Sequence, residues 1–104
     1  MNNERFTDPN LLILTCLAGG DRHGYAIMEE ANALSGILMG PGTLYGALAR
    51  LEERGLIASV EGDLDQPRRR PYRLTGRGAL VLREELERLS NIAAVGLKRL
   101  TAAS

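Results

Sequence analysis

Pro41-Gly42-Thr43-Leu44-Tyr45-Gly46-Ala47-Leu48-Ala49-Arg50-Leu51-Glu52-Glu53-Arg54-Gly55 is the stretch that decides the fold. Gly40 can cap a helix here, Pro41 suits its first position, and Gly55 ends it. Leu44, Leu48 and Leu51 recur at i, i+4 and i+7, the spacing of one buried helical stripe. With Leu44 at the centre of that stripe, the opposite face carries Gly42, Thr43, Tyr45, Gly46, Ala49, Arg50 and Glu53. Exposed helix faces usually hold long-chain helix formers, yet three of these seven residues are Gly or Ala. A glycine inside a helix costs about 1 kcal/mol relative to alanine, so the small face needs a reason. One reason is a surface that must approach the backbone closely, such as a DNA major groove about 12 Å wide. The other is a second part of the same chain packed on it. Thr43 and Tyr45 bring hydroxyls that reach phosphates or base edges. The positive N-terminal end at Pro41 favours a phosphate.

Upstream, Asp8 caps and Pro9 opens a first helix running to about residue 18, where Gly19-Gly20 ends it. It is apolar almost all round and reads as central to the core. Residues 21–24 form a short connection. A second helix covers about 24–34, with Ile27, Ala31 and Leu34 on one face and Ser35-Gly36 closing it. Downstream, residues 56–61 read as a short strand, 62–67 as a polar turn and 70–74 as a returning strand. Pro71 implies an edge position or a bulge for that second strand. Thr75 then caps a last helix to about residue 102, roughly 40 Å long. Its opening, Thr75-Gly76-Arg77-Gly78, lacks the Glu of a capping box. The class is therefore mainly α with a small antiparallel β-hairpin (α+β). Three helices followed by two strands is the order of a winged helix-turn-helix, in which the third helix enters a groove and the hairpin is the wing.

Arg68, Arg69 and Arg70 stand at the end of the hairpin tip. Residues 66–77 hold five arginines and no acid. Such a run is either a solvated loop or a phosphate-contacting wing, and Glu61, Asp63 and Asp65 are close enough in sequence to pair with it. In the last helix, Leu82, Leu86, Leu89 and Ala93 alternate spacings of four and three. Gly96 and Leu100 continue the series, and Ile92 and Leu97 widen it. This is heptad spacing. It fits a homodimer built on this helix, or a helix folded back on its own domain.

The chain has 104 residues, one domain by length, divided into a winged helix over about 8–74 and the long helix over about 75–102. The formal net charge is zero, which argues against nucleic-acid binding by bulk charge but leaves local patches open. Of 13 cationic side chains only Lys98 is a lysine. Arginine forks suit phosphate and guanine, although a compositional bias would produce the same count. Cys16 lies in an apolar run and reads as a buried thiol. With His23 as the single histidine, no structural zinc site can form. Nucleophile, base and metal constellations are missing, and Glu52-Glu53 and Glu84-Glu85 point to different sides of their helices. No enzyme and no cofactor are expected. A module used only for protein–protein assembly is the remaining alternative to a DNA-binding one. No apolar run approaches the ~20 residues of a membrane span, and residues 1–8 lack the pattern of a signal peptide. A cytoplasmic protein without a membrane partner is expected.

Four blocks together carry a resemblance: His23-Gly24-Tyr25; Pro41-Gly42-Thr43-Leu44-Tyr45-Gly46-Ala47-Leu48; Leu51-Glu52-Glu53-Arg54-Gly55-Leu56-Ile57; and Arg70-Pro71-Tyr72-Arg73-Leu74-Thr75. From about residue 8 to residue 89 the chain resembles the PadR-type transcriptional regulators. The resemblance implies a winged-helix dimer that represses transcription by binding double-stranded DNA. It implies dimerisation through the last helix, here Leu82, Leu86, Leu89, Ile92, Ala93, Leu97 and Leu100. Thr43, Tyr45 and Arg50 would face DNA, and Gly42 and Gly46, on the same helix face, are expected at that interface with them. Arg68, Arg69 and Arg70 would lie on the wing, and Tyr25 near the phosphate backbone. Two features depart from the pattern. Gly40 stands where relatives often have a stronger cap. The chain also has no Trp and only 4% aromatic residues, so an aromatic cage for a small-molecule inducer is not expected, and the chemistry of any inducer is left open.

Overall fold

The computed structural model describes residues 8–36, 38–60 and 70–103. The elements are α1 (Pro9–Ala18), β1 (Arg22–His23), α2 (Gly24–Ser35), α3 (Pro41–Glu53), β2 (Ile57–Ser59), β3 (Pro71–Leu74) and α4 (Gly76–Ala103). The helix order and the caps expected at Asp8 and Thr75 hold. The Asp8 carboxylate accepts from the Asn10 amide at 2.8 Å, and the Thr75 hydroxyl accepts from the Gly78 amide at 3.0 Å.

α1, α2 and α3 enclose one core. Leu12, Ile13, Leu14, Cys16 and Leu17 enter it from α1, Ile27 and Ala31 from α2, and Leu44, Ala47, Leu48 and Leu51 from α3. Leu56 and Ile57 close it on the sheet side and Leu82 on the α4 side. Ile13, Ile27, Leu44 and Leu51 have no exposed surface, so the stripe read from the third helix is the buried one. Leu34 departs from expectation. It shares the α2 face with Ile27 and Ala31 but stays 59% exposed, because it stands in the last turn, beyond the reach of the core.

The sheet also differs from a simple hairpin. Residues 22 and 23, expected as part of a connection, form a third strand, and the order is β1-β3-β2, all antiparallel. β3 is therefore central rather than at an edge. Arg22 faces Tyr72 and His23 faces Pro71 on one side, while Ile57 faces Leu74, Ala58 faces Arg73 and Ser59 faces Tyr72 on the other. Pro71 is tolerated because it is the first residue of the strand, and its carbonyl still accepts from the Val60 amide at 2.8 Å. A two-residue strand has no periodicity to read, which is why β1 escapes sequence inspection. The Arg73 guanidinium holds it in place by gripping the Asp21 carboxylate with two nitrogens, the shorter contact being 2.8 Å.

The start of α4 explains the missing capping-box Glu. A Cβ on Gly78 would stand 1.9 Å from the Leu56 carbonyl oxygen. No side chain fits at that position, so the third residue of the helix must be glycine. Thr75 completes the joint. Its amide donates to the Leu56 carbonyl at 3.1 Å and its hydroxyl to the Gly55 carbonyl at 2.7 Å.

Beyond Leu89 the last helix leaves the domain. Every described residue from 90 to 103 is exposed, and the molecule extends 59 Å along its longest axis against 20 Å along its shortest. Among the described residues no helix is long and apolar enough to cross a membrane.

Candidate nucleic-acid interface

Two helix starts and one small-residue face make up the site. α1 and α4 begin with a side-chain cap, as described above. α2 begins at His23 and α3 at Gly40 without any side-chain cap bond. Among the described residues, the leading amides of these two helices have no side-chain cap, and the helix dipoles place positive charge there. Neither helix has an acid in its first turn, so nothing on those turns competes for the position.

The face of α3 is open. Among the described residues nothing comes within 4 Å of a Cβ placed on Gly42, and the nearest atom to one on Gly46 is the Arg50 guanidinium at 3.5 Å. Among the described residues, no other part of the chain packs on these small residues. Gly42, Thr43, Ala49, Arg50 and Glu53 are exposed, and Gly46 is half-buried.

Tyr45 takes a more defined position than its place on the helix wheel implies. It is 43% exposed, and its hydroxyl lies 2.8 Å from where a Cβ on Gly24 would stand. Its ring therefore covers the first residue of α2. This contact, between positions 24 and 45, joins two distant blocks, His23-Gly24-Tyr25 and Pro41-Gly42-Thr43-Leu44-Tyr45, because a Cβ at 24 would push the Tyr45 ring from its place. Tyr25, beside it, is 64% exposed.

Asn32 was not foreseen as part of the site. Its side-chain oxygen accepts from the Met39 amide at 2.7 Å and its side-chain nitrogen donates to the Met39 carbonyl at 3.5 Å. It thereby fixes the α2–α3 turn and the angle at which α3 is presented. An Asn inside a helix is a poor helix former, and that is the one signal the sequence offered.

On the wing side, Arg70 is exposed at the entry to β3. Arg68 and Arg69 lie outside the described residues. Arg73 from the same cationic window is committed to Asp21, whose carboxyl it holds below the ordinary carboxylate range by hydrogen bonding. Tyr72 sits between β1 and β2, where burial first and the Glu52 carboxylate second push its phenol upward. Glu52 in turn accepts from the Ser59 hydroxyl at 2.6 Å and ties α3 to the sheet. Cys16 is fully buried, and burial pushes its thiol up to about 11, so it stays protonated and inert.

Of the residues expected on the α4 partner surface, Leu82 is 4% exposed and belongs to the domain's own core. It is not available to a partner. Leu86, Ile92, Leu97 and Leu100 are exposed by 42% to 70%. Ala93 is exposed and Leu89 half-buried. One apolar stripe thus begins inside the domain and continues outside it. Among the described residues no group of His, Cys, Asp and Glu is placed to hold a metal ion.

The architecture recurs in known proteins. A crystal structure of a PadR family transcription regulator from Clostridium difficile superposes with a TM-score of 0.78 at 29% identity, over 88% of this chain and 97% of that one. A transcriptional regulator of Mycobacterium tuberculosis is 37% identical over 83 residues, which are 80% of this chain and 77% of that protein. An uncharacterized 37.1 kDa protein in a transposon of Streptomyces fradiae is 40% identical over 89 residues, 86% of this chain but 25% of that protein, so the chain spans about a quarter of its length. The model of the PadR-like family matches residues 13–84. By that match, which takes in most of the chain, and by its winged-helix fold, the protein belongs to the PadR-like family of transcriptional regulators and not to a family of enzymes.

Proposed function

We propose that the chain is a sequence-specific DNA-binding repressor that acts in the cytoplasm as a homodimer on a palindromic operator. α3 enters the major groove and the wing arginines 68 to 70 meet the phosphate backbone or the minor groove. The observation that carries this reading is the open face of α3, whose glycines at 42 and 46 have no partner within the described chain to explain them. The uncapped starts of α2 and α3 support it, since both await an acceptor such as a phosphate. The exposed distal leucines of α4 support the dimer, because a bare apolar stripe on a helix that has left its domain is the usual mark of association. A two-fold dimer would place two α3 helices on one face of DNA about one helical turn apart.

Salt dependence tests the reading. Operator affinity is expected to fall with log salt at a slope of about 0.9 per phosphate neutralised. The double change Arg68→Ala with Arg69→Ala should weaken binding and reduce that slope by about two. Identical affinities for both proteins across a salt titration would remove the wing from the interface.

A further inference from the structure

Of the two acids on α3, Glu52 is bonded and Glu53 has no bonding partner among the described residues. A single oxygen of Glu52 accepts from the Ser59 amide at 3.3 Å and from the Ser59 hydroxyl at 2.6 Å. Bonds to a carboxylate are stronger than neutral ones, and a pair on backbone and side chain fixes Ser59 in direction as well as in place. Ser59 is the last residue of β2, where the chain departs toward the arginines 68 to 70. Its cross-strand partner is Tyr72. The phenol there, raised first by burial and then by the Glu52 carboxylate, puts the same acid beside β3 as well. The last turn of α3 and the root of the wing are thus joined through one side chain. An acid is a costly choice for that joint, because its charge opposes phosphate. We propose that Glu52 is a positioning residue for DNA binding, which holds the wing at a fixed angle to α3 so that both elements engage one duplex. The proposal rests on the DNA-binding reading above and adds to it the residue that couples its two contact elements. Without the tether β2 and β3 still pair with each other, but the wing loses this hold on α3.

The sign of the effect separates this role from simple charge. Removing an acid beside DNA should by electrostatics alone strengthen binding, whereas removing a tether should weaken it. The test uses the full chain, an operator selected from random duplexes, and fluorescence anisotropy across a salt series. In Glu52→Ala the slope of log affinity against log salt should fall by about two, as in Arg68→Ala with Arg69→Ala, although no cation is lost. All three changes together should cost no more than about twofold in affinity beyond the wing pair alone. Glu52→Gln keeps an acceptor oxygen and should recover most of the lost slope. Ser59→Ala leaves α3 untouched and should lower the slope by about one. Glu53→Ala removes the same charge without a tether and should not lower it. Thermal midpoints should stay within about 5 °C of wild type, since exposed bonds of this kind hold little global stability. Tighter binding with a steeper slope in Glu52→Ala would reduce Glu52 to a local charge and overturn the proposal. So would losses that add fully to those of the wing pair, or a slope in Glu53→Ala as low as in Glu52→Ala. Should Glu52→Ala fail to fold, a wild-type slope in Ser59→Ala overturns the tether on its own. Equal binding by wild type and the wing pair would overturn the proposal by removing the wing from the interface, with α3 still on DNA. Absence of any selected sequence would overturn the DNA-binding reading itself.

Discussion

The joint where α4 begins and the outer face of α3 are both built on glycine, for opposite reasons. At the joint, Gly78 is pressed against the Leu56 carbonyl, and a Cβ would fall 1.9 Å from that oxygen. On α3, a Cβ at Gly42 would meet nothing within the described residues and one at Gly46 only an arginine tip. Gly24 is intermediate, since the group it accommodates is a side chain, Tyr45, rather than backbone. A glycine whose missing side chain is replaced by the protein's own atoms is there for folding. A glycine facing open space costs helix stability with no return from the described residues. The leucines of α4 repeat the contrast, with Leu82 covered by the core and Leu97 and Leu100 bare.

The largest effect is expected at the joint. Gly78→Ala forces a methyl group into a backbone carbonyl and should destabilise the fold by about 3 kcal/mol, the upper range for overpacking. For a domain of this size that is a fall in Tm of order 15 °C. An unchanged thermal midpoint would mean that the joint can open, and the comparison would lose its first member. Next comes the distal stripe. Leu97→Asp with Leu100→Asp should leave secondary structure and monomer folding intact, because neither side chain is covered, while sedimentation should show a population shifted to monomer. A stable dimer in this variant would move the association surface elsewhere.

Much of this was legible in the sequence because it rests on period and punctuation. The buried stripe of α3, the caps at Asp8 and Thr75 and the glycine at the α3 C-terminus are local patterns, and the structure keeps them. Contacts between distant blocks were not legible. Nothing in Thr75-Gly76-Arg77-Gly78 says that a carbonyl from residue 56 will occupy the place of a capping Glu. The partnership of Gly24 with Tyr45 and the clamp of Asn32 on Met39 are likewise tertiary. Leu82 shows the limit of the heptad pattern. The spacing is the same inside and outside the domain, so it cannot tell which leucines the core will take. The β1 strand was invisible because pairing to β3, not its own two residues, makes it a strand.

A smaller effect, opposite in sign for two measurements, is expected on the open face. Gly46→Ala replaces an interior helical glycine that has room for a methyl group. It should stabilise the free protein by about 0.5–1 kcal/mol. The same methyl would stand between α3 and the groove floor. A clash of order 1–3 kcal/mol there corresponds to roughly a tenfold weaker operator affinity. Gains in both stability and affinity would mean that the backbone at residue 46 does not approach DNA closely, and that the open glycines need another explanation.

The smallest effect concerns the ion pair that anchors the sheet. Asp21 lies just before β1 and Arg73 in the middle of β3, and their bidentate contact is exposed to water. Hydrogen bonding from Arg73 holds the Asp21 carboxyl below its ordinary value. A group lowered in the folded state contributes stability that is fully present above the unfolded value and is lost as pH falls through the folded one. The pair should thus be indifferent to pH across the neutral range and weaken only in acid, below the ordinary carboxylate range. Solvent and salt screen such a pair, so little global stability depends on it, and the more sensitive readout is local. Followed by carboxyl-carbon NMR, Asp21 should titrate below a free aspartate and return to the ordinary value in Arg73→Ala. The amides of residues 22 and 23 should exchange faster in that variant, since β1 has only two residue pairs holding it to β3. If Asp21 titrates normally in the wild type, Arg73 is released from the sheet and becomes a fourth wing cation free to meet phosphate. The salt slope of operator binding should then drop further on its removal than it does for Arg68 and Arg69 alone.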